Sequence, residues 1–158
     1  DTAADLYLQA VEALESMGFQ QYEISNFARP GYESRHNLKY WRCEEYLGFG
    51  AAAHSFYQGK RYAHTRNLEA YLSDAEKDIN VTEEHAGKIS ERLMLNLRLT
   101  EGINLRTLSE EISAIRFLSA AQPMIRDGLL KVEHTRLRLT PKGFLVSNAV
   151  IGALLDSI

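Results

Sequence analysis

Residues 22–56, YEISNFARPGYESRHNLKYWRCEEYLGFGAAAHSF, contain most of the side chains in this chain that are suited to binding a ligand. The stretch holds two of the five histidines, the single tryptophan and the single cysteine. It also contains a Gly- and Ala-rich run, 47–53, where a backbone with few side chains can approach a ligand closely. The flanking sequence has the amphipathic patterns of ordinary scaffold. We therefore expect any functional site to lie within residues 22–56.

A helix and two strands are predicted around this stretch. Apolar residues at helical spacing predict a helix from about Thr2 to Gly18, the usual position of a terminating glycine. The segment 19–28, FQQYEISNFA, predicts a first strand that a turn at 29–31 closes. Residues 46–53 are continuously apolar, which predicts a second strand covered on both faces, as in a parallel sheet.

The rest of the chain predicts short hairpins and helices. A β-hairpin is expected over 56–63 and a second over 129–140, around a turn at His134 and Thr135. Helices are expected over 68–77, 82–102, 105–112, 114–127, where Pro123 either kinks the helix or starts a new turn, and from Pro141 onward. Three helices, a hairpin and a final helix resemble the order of a winged helix.

The composition indicates a soluble globular chain with room for one ordinary domain or two small ones. No apolar run approaches the roughly 20 residues of a membrane-spanning helix, and residues 1–18 lack the pattern of a targeting signal. The net charge of −3 disfavours a protein whose whole surface binds nucleic acid. Residues 1–82 carry 8 basic and 12 acidic side chains, whereas 83–158 carry 10 and 9. This shift predicts a domain boundary near residue 82.

Three motifs within this stretch resemble a known family. They are EISNFA (23–28), RHNLKYW (35–41) and YLGFGAAAHS (46–55). In this order they closely resemble the later part of the HemW proteins, radical S-adenosylmethionine (SAM) proteins related to the oxygen-independent coproporphyrinogen III oxidase HemN. The HNxxYW element within 35–41 is the most specific signal. Over 83–158 the resemblance is weaker and rests on element order and the LTPKG segment, 139–143.

The resemblance implies an α+β fold in three parts. Residues 1–66 would be the last strands and helix of a (β/α) radical-SAM barrel, because two strands and one helix cannot close a barrel themselves. Residues 67–81 would form a linker helix, and 82–158 a helical, winged-helix-like HemN C-terminal domain. Strand edges left without barrel partners would favour self-association into a homo-oligomer.

The resemblance also implies haem binding and haem trafficking by a cytoplasmic chaperone. His36, Asn37, Tyr40 and Trp41 would bind haem, with His36 as an iron ligand, Asn37 orienting the imidazole and both aromatic rings against the porphyrin. The haem would pass to an acceptor protein. An anaerobic coproporphyrinogen III oxidase is the alternative within the family, and HNxxYW counts against it.

For SAM, the resemblance implies a binding strand in the full-length protein that includes Gly48, Gly50, Ala51 and Ala53. Family members often have glycine at the position of Ala52. A radical-SAM [4Fe–4S] cluster takes three thiolates from the protein, and this chain has one cysteine. We therefore expect the cluster to belong to the full-length protein and this chain alone to do no radical chemistry.

Simpler roles for several of these residues stay open. His36 could be a hydrogen-bonded loop residue beside a surface cluster of Tyr40 and Trp41, and the glycines could serve only the packing of a central strand. His54 could line the same cleft or be a core histidine. Cys43 is expected to be a reduced thiol beside an aromatic ring.

The remaining polar residues and histidines are expected to have no ligand-binding role. Glu23, Ser25 and Asn26 could bind polar groups of SAM, but we expect them to bridge strands. Three histidines have no metal-ligand partners at useful spacing and are expected on the surface; they are His64, His85 and His134.

A nucleic-acid-binding winged helix is the competing class of function. It would place Arg136 and Arg138 on the wing. The excess of one basic residue over 83–158 is far from the charge of a nucleic-acid-binding domain. We expect both arginines to cover a neighbouring domain instead.

Overall fold

The computed structural model describes residues 2–73 and 79–158, which contain eight helices and eight strands. The elements are α1 (Thr2–Ser16), β1 (Gln20–Gln21), β2 (Phe27–Ala28), α2 (Arg35–Trp41), β3 (His54–Tyr57), β4 (Lys60–His64), α3 (Leu68–Ser73), β5 (Ile79–Glu83), α4 (Ile89–Asn96), β6 (Ile103–Asn104), α5 (Leu105–Leu108), α6 (Ala114–Arg126), β7 (Leu130–Glu133), β8 (Arg136–Leu139), α7 (Pro141–Leu145) and α8 (Ser147–Leu155).

The strands of the described residues form three small antiparallel sheets. β1 pairs with β2, β3–β4–β5 form the second sheet, and the third has the order β6–β8–β7. In the second sheet Tyr62 lies opposite Val81, and the register shifts between Arg61 and Tyr62. All of these ladders are antiparallel, so the parallel strand pairing expected for residues 1–66 is not found in the described part of that segment.

The predicted strand over 46–53 is wrong. Only Tyr46 pairs, antiparallel to Phe56 of β3, and residues 47–53 form a loop. Gly50 and Ala52 have φ values of 113° and 62°, which an extended strand cannot accommodate. The small residues of this run therefore serve a turning backbone rather than a strand buried on both faces.

The predicted strand over 19–28 is interrupted by a turn. β1 and β2 are its two ends, and they pair with each other across residues 22–26. The turn also pairs with the C-terminal half: Glu23 bridges to Leu99, and the Ile24 N–H donates to the Arg98 carbonyl at 2.9 Å. The backbone of residues 22–24 is therefore hydrogen-bonded to the C-terminal half. It is not the free strand edge that was expected to cause self-association. Self-association itself stays a prediction.

The helix predicted to begin at Thr82 begins instead at Ile89. Thr82 lies in β5, an edge strand that the sequence pattern did not indicate. Gly87 then adopts a φ of 76°, and a Cβ there would lie 2.9 Å from the Phe56 ring, so the chain turns at this glycine before the helix starts. Because β5 extends to Glu83, the division of domains at residue 82 stays a prediction.

Two further helices are shorter than predicted. The helix expected over 68–77 is observed over 68–73, and its last predicted residues lie outside the described ones. The helix expected over 105–112 ends at Leu108.

The predicted β7–β8 hairpin and the helix before it are confirmed, whereas the helix expected over 82–102 ends at Asn96 and the single helix expected from Pro141 is divided into α7 and α8. β7 and β8 form a hairpin around His134, whose φ is 55°, and α6 runs continuously through Pro123. Helices α4, α5, α6 and α8 pack against this sheet through one apolar core. Its buried residues are Leu93, Leu97, Ile103, Leu108, Phe117, Ala121, Leu130, Leu137, Leu139, Phe144, Val150, Ile151 and Leu154.

No helix among the described residues is long and apolar enough to cross a membrane.

Candidate functional site

The HNxxYW residues lie on a short helix, α2, rather than in a loop. Ser34 caps the helix: its Oγ accepts a hydrogen bond from the Asn37 N–H at 3.3 Å. At the other end Cys43 adopts a φ of 55°. The Cys43 N–H donates to the Tyr40 carbonyl at 3.0 Å and the Glu44 N–H donates to the Lys39 carbonyl at 2.9 Å. This is the Schellman pattern, so the local sequence fixes both ends of α2.

One side of α2 carries His36 and Tyr40 in ring contact. The His36 ring meets the Tyr40 ring edge-on with centroids 4.8 Å apart, and Tyr40 meets Tyr46 edge-on at 4.5 Å. His36 and Tyr40 are exposed, whereas Tyr46 is half-buried. We call these three residues the aromatic cluster. It presents an accessible imidazole beside two flat apolar rings.

Tyr46 is held as a neutral phenol. Burial raises its pKa above the ordinary value, and the nearby Arg61 guanidinium only partly offsets this. Sequence reasoning assigned Tyr46 to a strand and missed its contact with Tyr40, which forms because the chain returns to β3 after α2.

Asn37 and Trp41 occupy a different side of α2. They lie one helical turn apart, about 100° around the helix from His36 and Tyr40. Both are half-buried, and the Trp41 carbonyl accepts a hydrogen bond from the Asn96 side chain at 2.9 Å. This arrangement separates the Trp41 ring from the Tyr40 ring and does not favour the expected pairing of Asn37 with the His36 imidazole.

The loop 47–53 has its backbone amides engaged by the protein. Four of its N–H groups donate to protein acceptors: Gly48 to Ser55 Oγ at 3.0 Å, Gly50 to Tyr71 Oη at 3.1 Å, Ala52 to the Thr65 carbonyl at 2.7 Å and Ala53 to the Gly50 carbonyl at 3.1 Å. The loop is therefore held against β3, β4 and α3, and these four amides are not free to bind a ligand.

Both glycines of the loop have a conformational reason. A Cβ at Gly48 would collide with the His54 carbonyl, and Gly50 has a φ of 113° that L-residues avoid. Leu47 and Phe49 are exposed, Phe49 at 84%. The glycines of this loop are thus explained without a ligand, although the loop still exposes apolar surface.

Glu23 is fully buried, and its carboxylate serves the turn at 22–26. One oxygen accepts from the Ser25 N–H at 3.2 Å and the other from the Asn26 amide. A buried carboxylate needs such donors to remain in the fold. This is the structural role that we expected for the polar group.

The remaining histidines divide by exposure. His54 is exposed, so it is not a core histidine. His85 and His134 are exposed, as predicted. His64 was predicted on the surface, but it is half-buried, its ring meets Tyr71 edge-on at 5.2 Å and its Nδ1 is buried without a recorded hydrogen-bond partner. The pairing of β4 with both of its neighbours buries it.

Cys43 is not placed as an iron ligand or a reactive thiol. Burial raises the pKa of this half-buried thiol, and the Glu91 carboxylate raises it further. Across residues 2–73 and 79–158, no three His, Cys, Asp or Glu side chains are grouped to hold a metal ion. The side chains present do not fit a [4Fe–4S] cluster.

The hairpin arginines are engaged within the protein. Arg136 donates to the carbonyl oxygen of Gly102 at 3.2 Å, and Arg138 pairs with the carboxylate of Glu133. The Glu133 carboxylate also binds Lys131, and these partners hold its pKa below the usual range. Lys131 and Arg138 thus share one carboxylate, whereas the partners of Arg136 are carbonyl oxygens.

The comparisons with known proteins agree with one another. Residues 84–146 match the model of the HemN C-terminal domain family. The chain is 34% identical to the heme chaperone HemW of Bacillus subtilis over 98% of its own length and 43% of that protein. It is also 34% identical to the heme chaperone HemW of Lactococcus lactis, over 100% of its length and 44% of that protein. The chain thus spans less than half the length of these relatives.

A solved structure has the same fold. The coproporphyrinogen III oxidase HemN of Escherichia coli, described as a radical SAM enzyme, matches 98% of this chain and 41% of its own chain with a TM-score of 0.64 at 18% identity.

Proposed function

Because the chain belongs to the family of HemW-like and HemN-like radical SAM proteins and corresponds to a C-terminal portion of it, we propose that it provides the haem-binding helix of a haem chaperone. The observation that carries this proposal is the exposed His36 imidazole in edge contact with the Tyr40 ring. An imidazole nitrogen is a common axial ligand of haem iron, and an adjacent aromatic ring can cover part of the porphyrin.

The charges of α2 suit the haem carboxylates. The helix carries Arg35 and Lys39 with no acidic residue, whereas Arg42, which follows it, pairs with the Glu101 carboxylate at 3.1 Å. Arg35 lies next to His36 in sequence and is exposed. A haem whose iron is ligated by His36 would thus meet both aromatic surface and positive charge on one helix.

The exposure of His36 favours transfer over permanent retention. A prosthetic haem is usually enclosed by protein, so that both faces of its apolar ring are shielded from water. Here the proposed ligand lies on the outside of a seven-residue helix. We place this haem transfer in the cytoplasm, with a haem-accepting protein as the partner and haem as cargo.

Asn37 and Trp41 are also proposed haem-binding residues, although they lie on the neighbouring side of α2. Their half-burial assigns them to shaping the helix and the edge of the site more than to stacking beside Tyr40. Tyr46 joins the set, because its ring extends the surface that Tyr40 begins.

SAM is proposed to bind the full-length protein near the loop 47–53. Gly48, Gly50, Ala51 and Ala53 are its proposed contacts, chiefly through apolar surface, since most of the loop N–H groups are engaged and the Gly50 and Ala53 carbonyls accept from the Ala53 and His64 N–H groups. SAM and a [4Fe–4S] cluster would supply radical chemistry in that protein. This chain contributes no cluster thiolates and no step of that chemistry.

The finer fold assignment is also a proposal. The order α4–β6–α5–α6–β7–β8, with β8 between β6 and β7, is consistent with a winged-helix-like domain after residue 82. We propose that residues 1–66 complete a radical-SAM barrel and 67–81 link it to that domain. The excess of only one basic residue over 83–158 counts against nucleic-acid binding by this domain.

A pair of histidine variants in the full-length protein tests the haem proposal. We expect His36→Ala to remove or shift the Soret band of bound haem, because the axial ligand is lost. The matched control is His85→Ala, another exposed histidine, which should leave spectrum and stoichiometry unchanged. Trp41→Ala should weaken binding without altering the ligation spectrum. If His36→Ala takes up haem with an unchanged spectrum and stoichiometry, the proposal is wrong.

A further inference from the structure

Residues 96–101, which we call the seam, contact the chain at two of the three HemW-like motifs, EISNFA (23–28) and RHNLKYW (35–41). The seam lies within the region that matches the HemN C-terminal domain. Along one side, the Thr100 N–H donates to the Tyr22 carbonyl at 3.1 Å, and the Ile24 N–H donates into the seam backbone. On the other side, Asn96 and Glu101 contact the C-terminal end of α2. One short segment thus fixes both stretches relative to the C-terminal core.

One carbonyl at the end of α2 accepts its hydrogen bond from a distant part of the chain. The last carbonyls of a helix have no partner within it. Two of them accept from the turn that follows: Lys39 from the Glu44 N–H at 2.9 Å and Tyr40 from the Cys43 N–H at 3.0 Å. The carbonyl of Trp41, the last residue of α2, accepts from Asn96 Nδ2 at 2.9 Å. A residue 55 positions away therefore completes this helix end.

Asn96 is held by a rigid element. It is the last residue of α4, and Leu93 and Leu97 on either side of it are 2% and 0% exposed. The other contact, between Arg42 and Glu101 at 3.1 Å, joins side chains that are 43% and 40% exposed, and such a surface pair contributes little. Asn96 is therefore the main anchor.

We propose that Asn96 is a positioning residue that fixes α2 so that His36 keeps its orientation toward haem. This inference rests on the proposed function. A helix of seven residues is far below the length at which helices are stable alone, so loosening its last turn loosens the whole helix. His36 lies five residues from Trp41, about 7.5 Å along the axis. Asn96 thus acts on the haem site through the helix, without touching the ligand.

Hydrogen exchange tests the anchoring without haem. Asn96→Ala in the 158-residue chain should lower the protection of the Arg42, Cys43 and Glu44 amides about fivefold, the effect expected for one lost hydrogen bond. The control is Asn148→Ala, because Asn148 Oδ1 accepts from Arg98 at 3.1 Å on the same region but away from α2. The control should leave those three amides unchanged.

Haem binding by the full-length protein tests the consequence. Asn96→Ala and the isosteric Asn96→Asp should weaken haem affinity about three- to tenfold with the Soret position unchanged, since His36 still ligates. Asn96→Gln, which keeps an amide donor, should recover part of the loss. A merely structural role would instead lower the thermal midpoint and protection throughout the C-terminal core.

The possible failures are separable. If His36→Ala does not affect haem uptake, the proposed function fails, and the exchange experiment still decides whether Asn96 anchors α2. If His36→Ala abolishes uptake while Asn96→Ala matches Asn148→Ala in exchange and affinity, the positioning role of Asn96 is overturned. Uniform loss of protection across α4, α6 and α8 in Asn96→Ala would overturn it as well.

Discussion

The two halves of the chain are built in different ways. Of the buried apolar residues in the described chain, fourteen lie after Ile89, and three lie before it: Val11, Ala28 and Phe56. The first half instead buries a carboxylate, Glu23, and holds its loops with backbone and side-chain hydrogen bonds. Large apolar rings stay exposed there, including Phe49 at 84%.

This difference concerns where the stability of the chain comes from. Apolar burial supplies most of the favourable free energy of folding, so the C-terminal core carries the stability. The first half takes its shape from hydrogen bonds and from the seam. It leaves exposed the rings and the His36 imidazole on which the haem proposal rests.

The largest expected effect on stability is the loss of a buried phenylalanine, compared with the loss of an exposed one. Phe117 is 0% exposed in the C-terminal core, and Phe117→Ala should lower the free energy of unfolding by about 3–5 kcal/mol. Phe49→Ala, at an exposed ring of the first half, should change it by less than about 0.5 kcal/mol. Urea denaturation followed by circular dichroism measures both. Equal losses would contradict the division of roles between the halves.

The C-terminal elements could be predicted because their signals report burial and capping directly. The helix predicted over 114–127 is observed as α6, and two helices begin at side chains that favour caps: Asn104 Oδ1 accepts from the Arg106 N–H at 3.0 Å, and Thr140 Oγ1 accepts from the Gly143 N–H at 3.0 Å. These residues form one connected core, so the local pattern and the tertiary structure agree.

The first half was harder to predict because its run of small apolar residues is due to backbone conformation rather than to burial. The apolar run 46–53 has the composition of a buried strand, but its small residues are required by positive φ values at Gly50 and Ala52. An alanine at positive φ has no sequence signature, since alanine usually avoids that region. The pairing of residues 22–24 with the seam is likewise invisible in a local pattern, because it joins segments more than seventy positions apart.

The candidate site was located from sequence only in part. The HNxxYW motif directed attention to His36 and Tyr40, but α2 was missed, although Ser34 three positions before Asn37 is a usable capping signal. The Tyr46 ring contact and the Asn96 anchor depend on chain segments brought together by folding. No periodicity or spacing in the sequence encodes either of them.

Substituting one glycine in each half should give effects of intermediate size on stability. A Cβ at Gly102 would collide with the Leu137 carbonyl in the C-terminal sheet, and a Cβ at Gly48 would collide with the His54 carbonyl in the first half. Gly102→Ala should destabilise the whole fold by about 3 kcal/mol, from overpacking and a φ of 62°. Gly48→Ala should cost less than about 1 kcal/mol globally, because the loop can open locally.

Thermal unfolding and hydrogen exchange distinguish these two outcomes. Gly48→Ala should increase exchange at the Phe56 amide, which donates to the Tyr46 carbonyl at 2.9 Å, while leaving the core amides protected. If Gly48→Ala unfolds the chain as much as Gly102→Ala does, the first half is not the less stable part.

The smallest expected effect concerns Cys43, which lies between the two halves. Burial raises its pKa from the ordinary value of 9.0; the Glu91 carboxylate of α4 raises it further, while Arg61 of β4 lowers it. An acid whose pKa is raised by folding holds its proton more tightly in the folded state. Its contribution to stability is therefore complete below pH 9.0 and is lost as the pH rises through and above that value.

Iodoacetamide alkylation across pH 7–11 measures this directly, because only the thiolate reacts. We expect the midpoint for Cys43 in the folded chain to lie above the midpoint in urea-unfolded chain, and Cys43→Ala to remove the small extra loss of stability above pH 9.0. Since the Glu91 carboxylate lies on α4, part of the shift reports the approach of α4 to the end of α2. Equal midpoints in the folded and unfolded chains would contradict the predicted rise in the Cys43 pKa on folding.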